Sequence, residues 1–149
     1  MIEARADVTL PVPPAEAFAA ATDLSTADWL PAVRGLRHVG GPTTGVGARY
    51  EVEVGLIGRH LRGVLVCRES EPPTRAVYAL EDGMELTVVM VIVPVGNDCR
   101  MELTARYVVG GGPLGGAVER ATAGAARHEV ARAVETFAAR FGRKSPLAR

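Results

Sequence analysis

The run from residue 100 to 142, RMELTARYVVGGGPLGGAVERATAGAARHEVARAVETFAARFG, carries two hydrophobic periods separated by a glycine break. At its start Arg100, Glu102, Thr104 and Arg106 alternate with Met101, Leu103, Ala105 and Tyr107. That period of two belongs to a strand with one charged and one apolar face. Gly110 to Gly116 interrupts it. From Ala117 to Gly142 the apolar residues Ala123, Ala126, Val130, Val134, Phe137 and Phe141 recur at intervals of three and four, which predicts one long amphipathic helix. A sheet with one dry face followed by such a helix buries both apolar surfaces if the sheet curls around the helix.

The same strand period extends back toward the N-terminus. Alternating or apolar runs at Arg49–Val54, Arg59–Glu69, Arg75–Leu80 and Glu85–Val93 are separated by Gly55 to Gly58, Pro72-Pro73, Glu81-Asp82-Gly83 and Gly96-Asn97-Asp98. Links this short favour antiparallel neighbours, hence a meander. Its charged faces predict a wet convex side and a dry concave side. Upstream, Ile2 to Leu10 reads as a first strand, broken by Pro11-Val12-Pro13-Pro14. Pro14 suits a first helical turn, and Ala15 to Thr22 reads as a short helix with Ala17, Phe18 and Ala21 on its apolar side. Ser25 is the expected N-cap of a second short helix carrying Trp29 and Leu30 and stopped by Pro31.

The chain has 149 residues, 48% hydrophobic and 23% charged, with 17 basic side chains against 17 acidic ones. One domain is expected over residues 1–142, with 143–149 a flexible polar tail. Zero formal charge argues against nucleic acid or an anionic membrane as partner. No apolar run approaches the roughly 18 residues of a membrane span, and the N-terminus lacks the form of a secretion signal. Cys67 and Cys99 fit no metal or redox spacing, so reduced core thiols in a cytoplasmic protein are expected.

Several chemistries are set aside by inspection. There is no Gly-x-Ser-x-Gly elbow. His128-Glu129-Val130-Ala131-Arg132 opens like a zinc-protease helix but lacks the second histidine, and His38, His60 and His128 show no ligand spacing. Lys144 in the tail is the sole lysine, which leaves none for a buried Schiff base. Gly110-Gly111-Gly112-Pro113-Leu114-Gly115 matches Gly-x-Gly-x-x-Gly in letters alone, because no second strand follows its helix. A hinge fits better, with Gly111 and Gly112 as a candidate gate at a cavity mouth. No metal and no cofactor are expected.

Three kinds of side chain on the dry face could carry function. Trp29, the single tryptophan, plugs the end of the core or walls a ligand cavity. Tyr50, Tyr78 and Tyr107 all fall inward, and each buried hydroxyl needs a partner. Glu119 stands three helical turns before Val130 and so shares the inner stripe, where a carboxylate must pair, be hydrated or become neutral. Arg62, Arg68, Arg100 and Arg106 fall on the outer face, which leaves the inner one without arginine.

The opening strand followed by Pro13-Pro14-Ala15-Glu16-Ala17-Phe18, then Asp23 and Trp29-Leu30-Pro31, resembles the polyketide cyclase/dehydrase-type branch of the START-like (SRPBCC, helix-grip) superfamily. Gly45-Val46-Gly47-Ala48-Arg49-Tyr50 looks like that family's strand entry, Glu71-Pro72-Pro73-Thr74-Arg75 like its mid-sheet turn, and Gly111 to Gly115 like its break before the last helix. The resemblance implies an α+β helix-grip fold: a curved antiparallel sheet of about seven strands around a long C-terminal helix, with two short helices after the first strand. It also implies a cavity for a small hydrophobic molecule. On the inner faces read above, the residues expected to line it are Trp29, Tyr50, Val52, Leu61, Leu65, Tyr78, Leu80, Met84, Leu86, Met90, Met101, Leu103, Tyr107, Glu119 and Ala123. Members include aromatase/cyclases, lipid and hormone carriers, and stress-response modules, and three functions stay open. A cofactor-independent cyclase or dehydratase would use Glu119 as acid–base group with Tyr50 and Tyr78 as donors. A carrier or sensor would use the same residues for a ligand's polar end, and an interaction module would fill the cavity with its own side chains. The chain is expected as a monomer or homodimer.

Overall fold

In the computed structural model, residues 2–26, 29–30, 33–56, 59–81, 85–108 and 115–141 are described, with the side chains of 26, 54, 56, 59–61 and 115–122 left aside. The strands are β1 (Ile2–Leu10), β2 (Val33–Gly40), β3 (Arg49–Leu56), β4 (Arg59–Glu71), β5 (Arg75–Glu81), β6 (Leu86–Val95) and β7 (Asp98–Tyr107). The helices are α1 (Pro14–Thr22) and α2 (Gly115–Ala139), with a short 3-10 turn at Leu24–Thr26. All seven strands form one antiparallel sheet in the order β1-β7-β6-β5-β4-β3-β2. The meander runs from β2 to β7, as the short links predict, and β1 adds to its far edge beside β7. β1 and β2 therefore occupy opposite edges. The chain crosses between them through α1, which packs against β6 and β7, and the 3-10 turn, which meets β2. α2 lies chiefly along β1. This is the helix-grip arrangement expected from the sequence.

Local chemistry explains the elements. Pro13 caps α1, its carbonyl accepting from the Glu16 and Ala17 amides, and Pro14 occupies the first turn, where no amide is missed. Thr22 closes α1 by donating its hydroxyl to the Phe18 carbonyl at 2.8 Å. The second short helix differs from expectation. Asp23, not Ser25, caps the turn: its carboxylate accepts from the Ser25 amide at 3.2 Å and the Ser25 hydroxyl at 2.5 Å. The turn ends at Thr26, before Trp29 and Leu30.

The outer face of the sheet carries the cross-strand ion pairs that its alternation predicts: Arg106 with Glu3 at 2.7 Å, Arg37 with Glu51 at 2.7 Å, and Arg49 with Glu81. It is not charged throughout. Val66 and Val77 are buried outside the main core, beside Arg49, Arg68 and Arg75, whose aliphatic stems are long enough to cover them. The concave face contributes Leu10, Ile92, Cys99, Met101 and Leu103 to one buried core shared with α1 and α2. On α2, Ala126, Val130, Val134 and Phe137 are buried and Ala123 is half-buried, with Phe141 half-buried in the turn after the helix, which ends at Ala139 and not at the expected Gly142; the inner stripe is the one predicted. The glycine break at 110–114 and the tail at 143–149 lie outside the described residues. No helix among the described residues is long and apolar enough to cross a membrane.

Candidate functional site

Between the concave face and α2 lies a cavity of about 210 Å³ with an almost wholly apolar wall. Every layer of the fold contributes. Ala21 of α1, Leu24, Trp29 and Leu30 close one end. Val33 and Leu36 of β2, Val52 of β3, Leu65 of β4, and Tyr78 and Leu80 of β5 form one side. Leu86, Val88 and Met90 of β6 and Leu103, Ala105 and Tyr107 of β7 form the other, and Ala126, Glu129, Val130 and Ala133 of α2 form the roof. Val33 and Leu36 both reach the cavity although three residues apart, because β2 shifts register between Val33 and Gly35.

Trp29 is held by its ring, which lies 4.7 Å from that of Phe137, centroid to centroid, and is tilted by 52°. Trp29 is 3% exposed and Tyr107 is 4% exposed, yet neither the Trp29 Nε1–H nor the Tyr107 hydroxyl has a hydrogen-bond partner among the described residues. Oε1 of Glu129 is buried as well and is likewise without a partner among the described residues. All three residues line the same cavity. Buried polar atoms are usually paired, and each unpaired one costs roughly 1–3 kcal/mol. Three around one apolar cavity are therefore a concentrated cost.

Tyr78 is satisfied within the protein. Its hydroxyl is hydrogen-bonded to Sγ of Cys67, whose thiol in turn donates to the Glu69 carbonyl at 3.4 Å. Burial, followed by the charges of Cys67 and Tyr50, pushes the Tyr78 phenol far above its ordinary range. Burial also pushes the thiols of Cys67 and Cys99 upward, and both are free and buried. The Tyr107 phenol is raised by burial alone.

Of the residues expected at the site, Trp29, Val52, Leu65, Tyr78, Leu80, Leu86, Met90, Leu103 and Tyr107 line the cavity. Tyr50 does not. Its hydroxyl donates to the Thr43 carbonyl at 2.7 Å and its ring meets His38 edge-on, so it pins the loop before β3. Met101 is fully buried in the core, and Ala123 packs against that core; neither reaches the cavity. Met84 and the side chains of Leu61 and Glu119 lie outside what the structure describes. Arg62, assigned to the outer face, borders the cavity too. It is exposed and stands in register with Glu53, which alternates with the inward-facing Val52.

Glu129 is the residue that sequence reasoning passed over. It stands three positions after Ala126 and four before Ala133, both buried on the inner face of α2. That spacing was the available signal, since residues at i+3 and i+4 share a helix face. Among the described residues no cluster of His, Cys, Asp and Glu is arranged to hold a metal ion.

The structure is similar to several solved proteins. A Thermus thermophilus protein superposes with a TM-score of 0.82 at 22% identity, over 93% of this chain and 96% of that one. A START superfamily protein from Mycobacterium smegmatis gives 0.74 at 12% identity, over 96% of this chain and 99% of that one. The di-domain ARO/CYC BexL from the BE-7585A biosynthetic pathway gives 0.63 at 21% identity, over 91% of this chain and 46% of that one. At such identities the likeness concerns the fold alone. No curated protein matches the chain by sequence. A family model does, over residues 1–142, and on that match the chain belongs to the polyketide cyclase / dehydrase and lipid transport family.

Proposed function

We propose that the protein binds a small, mainly hydrocarbon molecule in the cavity between the sheet and α2. The observation that carries this is the set of unpaired buried polar atoms, Trp29 Nε1, Tyr107 Oη and Glu129 Oε1, on an otherwise apolar wall. An apolar wall with a few fixed polar atoms is what a small-molecule site requires: the wall supplies affinity and the polar atoms supply orientation. The volume, about 210 Å³, lies below the ~300–1,000 Å³ common for ligand pockets and suits a compact molecule.

Trp29 makes the test direct, since it is the only tryptophan and lines the cavity. Titration with 1-octanol, which does not absorb at tryptophan wavelengths, is expected to shift Trp29 emission saturably. Ala133→Leu, which puts a larger side chain into the cavity, is expected to abolish the shift while the protein stays folded. A linear, non-saturating response, unchanged by the substitution, would count against binding at this place.

A catalytic reading has one observation of its own. Glu129 sets a carboxylate oxygen on an apolar cavity wall, where a bound carbonyl compound could lose a proton from carbon to it, as a cyclisation or dehydration requires. Under this reading Glu129 takes the acid–base role that the sequence suggested for Glu119, and Tyr107 takes the donor role suggested for Tyr50. Glu129→Gln would then lower turnover at least about a hundredfold with binding retained, whereas a pure carrier has no turnover to lose.

A further inference from the structure

We infer that Glu129 sets the polar specificity of the cavity, so that its ligand ends in an uncharged hydroxyl, as an alcohol or phenol does, and molecules ending in a carboxylate are refused. The inference rests on the cavity being a binding site and goes further by naming the chemistry of the ligand's polar end.

The argument is an inventory of donors and acceptors. The indole N–H of Trp29 only donates, a phenol such as Tyr107 donates and accepts, and a carboxylate oxygen such as Oε1 of Glu129 only accepts. All three atoms are buried at one cavity and have no hydrogen-bond partner among the described residues. A ligand that relieves them must therefore both donate and accept. A hydroxyl does both: its O–H meets Glu129, and its lone pairs meet Trp29 or Tyr107. An ether or ketone accepts only and leaves the Glu129 oxygen unmet. An ammonium donates only and leaves the Trp29 N–H unmet. A carboxylate accepts only and also brings a negative charge against Glu129, a like-charge contact that binding sites use to reject wrong partners. The described lining offers it little cationic relief. Arg62, the arginine at the border, is exposed and stands in register with Glu53.

Calorimetric titration of the unsubstituted protein with four eight-carbon probes tests this: 1-octanol, methyl octyl ether, octylamine and octanoate. 1-Octanol is expected to bind tightest, about tenfold or more ahead of the ether and octanoate, the factor that one hydrogen bond to a charged group is worth. In Glu129→Gln, which keeps the shape and removes the charge, octanoate is expected to come within about threefold of 1-octanol. Circular dichroism checks that the variant is folded, and the ranking in the unsubstituted protein stands without it. Equal affinity for all four probes would leave the binding site in place and overturn its specificity for hydroxyls. Preference for octylamine would make Glu129 a cation site, and preference for octanoate would reverse the assignment; either overturns the inference. A preference for 1-octanol over octanoate that survives in Glu129→Gln would remove Glu129 as its cause. Failure of every probe to bind would overturn the site and its specificity together.

Discussion

Tyr107 and Tyr78 show how two buried tyrosines on one apolar face come to differ. Tyr78 donates a hydrogen bond to Cys67, at the head of a short chain ending at the Glu69 carbonyl, whereas Tyr107, two strands away, has no partner among the described residues. Removing a hydroxyl that has no partner removes a desolvation cost without losing a bond. Tyr107→Phe is therefore expected to stabilise the ligand-free protein by about 1 kcal/mol, read as a higher denaturant midpoint. Tyr78→Phe is expected to destabilise it by about 1 kcal/mol, because the Cys67 sulfur then loses its donor. The same burial keeps the thiols protonated and shielded. Cys67 and Cys99 are expected to resist a thiol reagent at pH 8 in the folded state and to react at once in denaturant.

Among the elements, the loop entering β3 is the one most strictly dictated by backbone geometry. Gly41 has φ +68°, and a Cβ there would stand 2.1 Å from the Gly47 carbonyl oxygen, which is backbone and cannot step aside. Gly45 has φ +91°, but its Cβ would meet nothing within 4 Å. Gly41→Ala is thus expected to cost about 3 kcal/mol or more and Gly45→Ala only about 1 kcal/mol, both measured by urea unfolding. Equal losses would show that the steric contact at Gly41 relaxes freely. Tyr50 belongs to this loop as well, its hydroxyl held by Thr43, which is why an inward-facing tyrosine in the sequence serves the loop rather than the cavity.

For the molecule as a whole, the ionisable groups set a pH window of stability. Glu3, Glu51 and Glu81 are held below the ordinary 4.5, chiefly by hydrogen bonds from Arg106, Arg37 and Arg49. Their contribution is present above 4.5 and fades as pH falls through the lowered values. These groups are exposed, so salt should weaken the effect. At the other end, Cys67, Cys99, Tyr50, Tyr78 and Tyr107 are raised by burial above the ordinary 9.0 of a thiol and 10.0 of a phenol. The unfolded chain then loses these protons first, so stability is full below about pH 9 and falls as pH rises beyond it. Thermal melts from pH 3 to 11 should show a broad plateau with a steeper decline on the alkaline side, where the shifted groups are buried. A protein whose melting temperature stayed level to pH 11 would contradict this burial.

What could be read without coordinates was whatever follows from period and local chemistry. β1 spans Ile2–Leu10 as its alternation requires, the meander follows from short turns, and the stripe Ala123 to Phe141 gives α2 its inner face. Of the twelve expected cavity residues whose side chains the structure describes, nine line it, and eight of these stand on strands, whose inward side is fixed by a period of two. Period says which side a residue faces, and nothing of how deep it lies or what it meets there. Met101 and Leu103 share a face two residues apart, yet only Leu103 reaches the cavity. The bulge in β2, the turn of Tyr50 toward Thr43, and the placing of Trp29, Tyr107 and Glu129 around one cavity bring together residues from separate parts of the chain. Only the tertiary structure decided those, since hydrogen bonding acts over about 3 Å in space while these residues stand far apart along the chain.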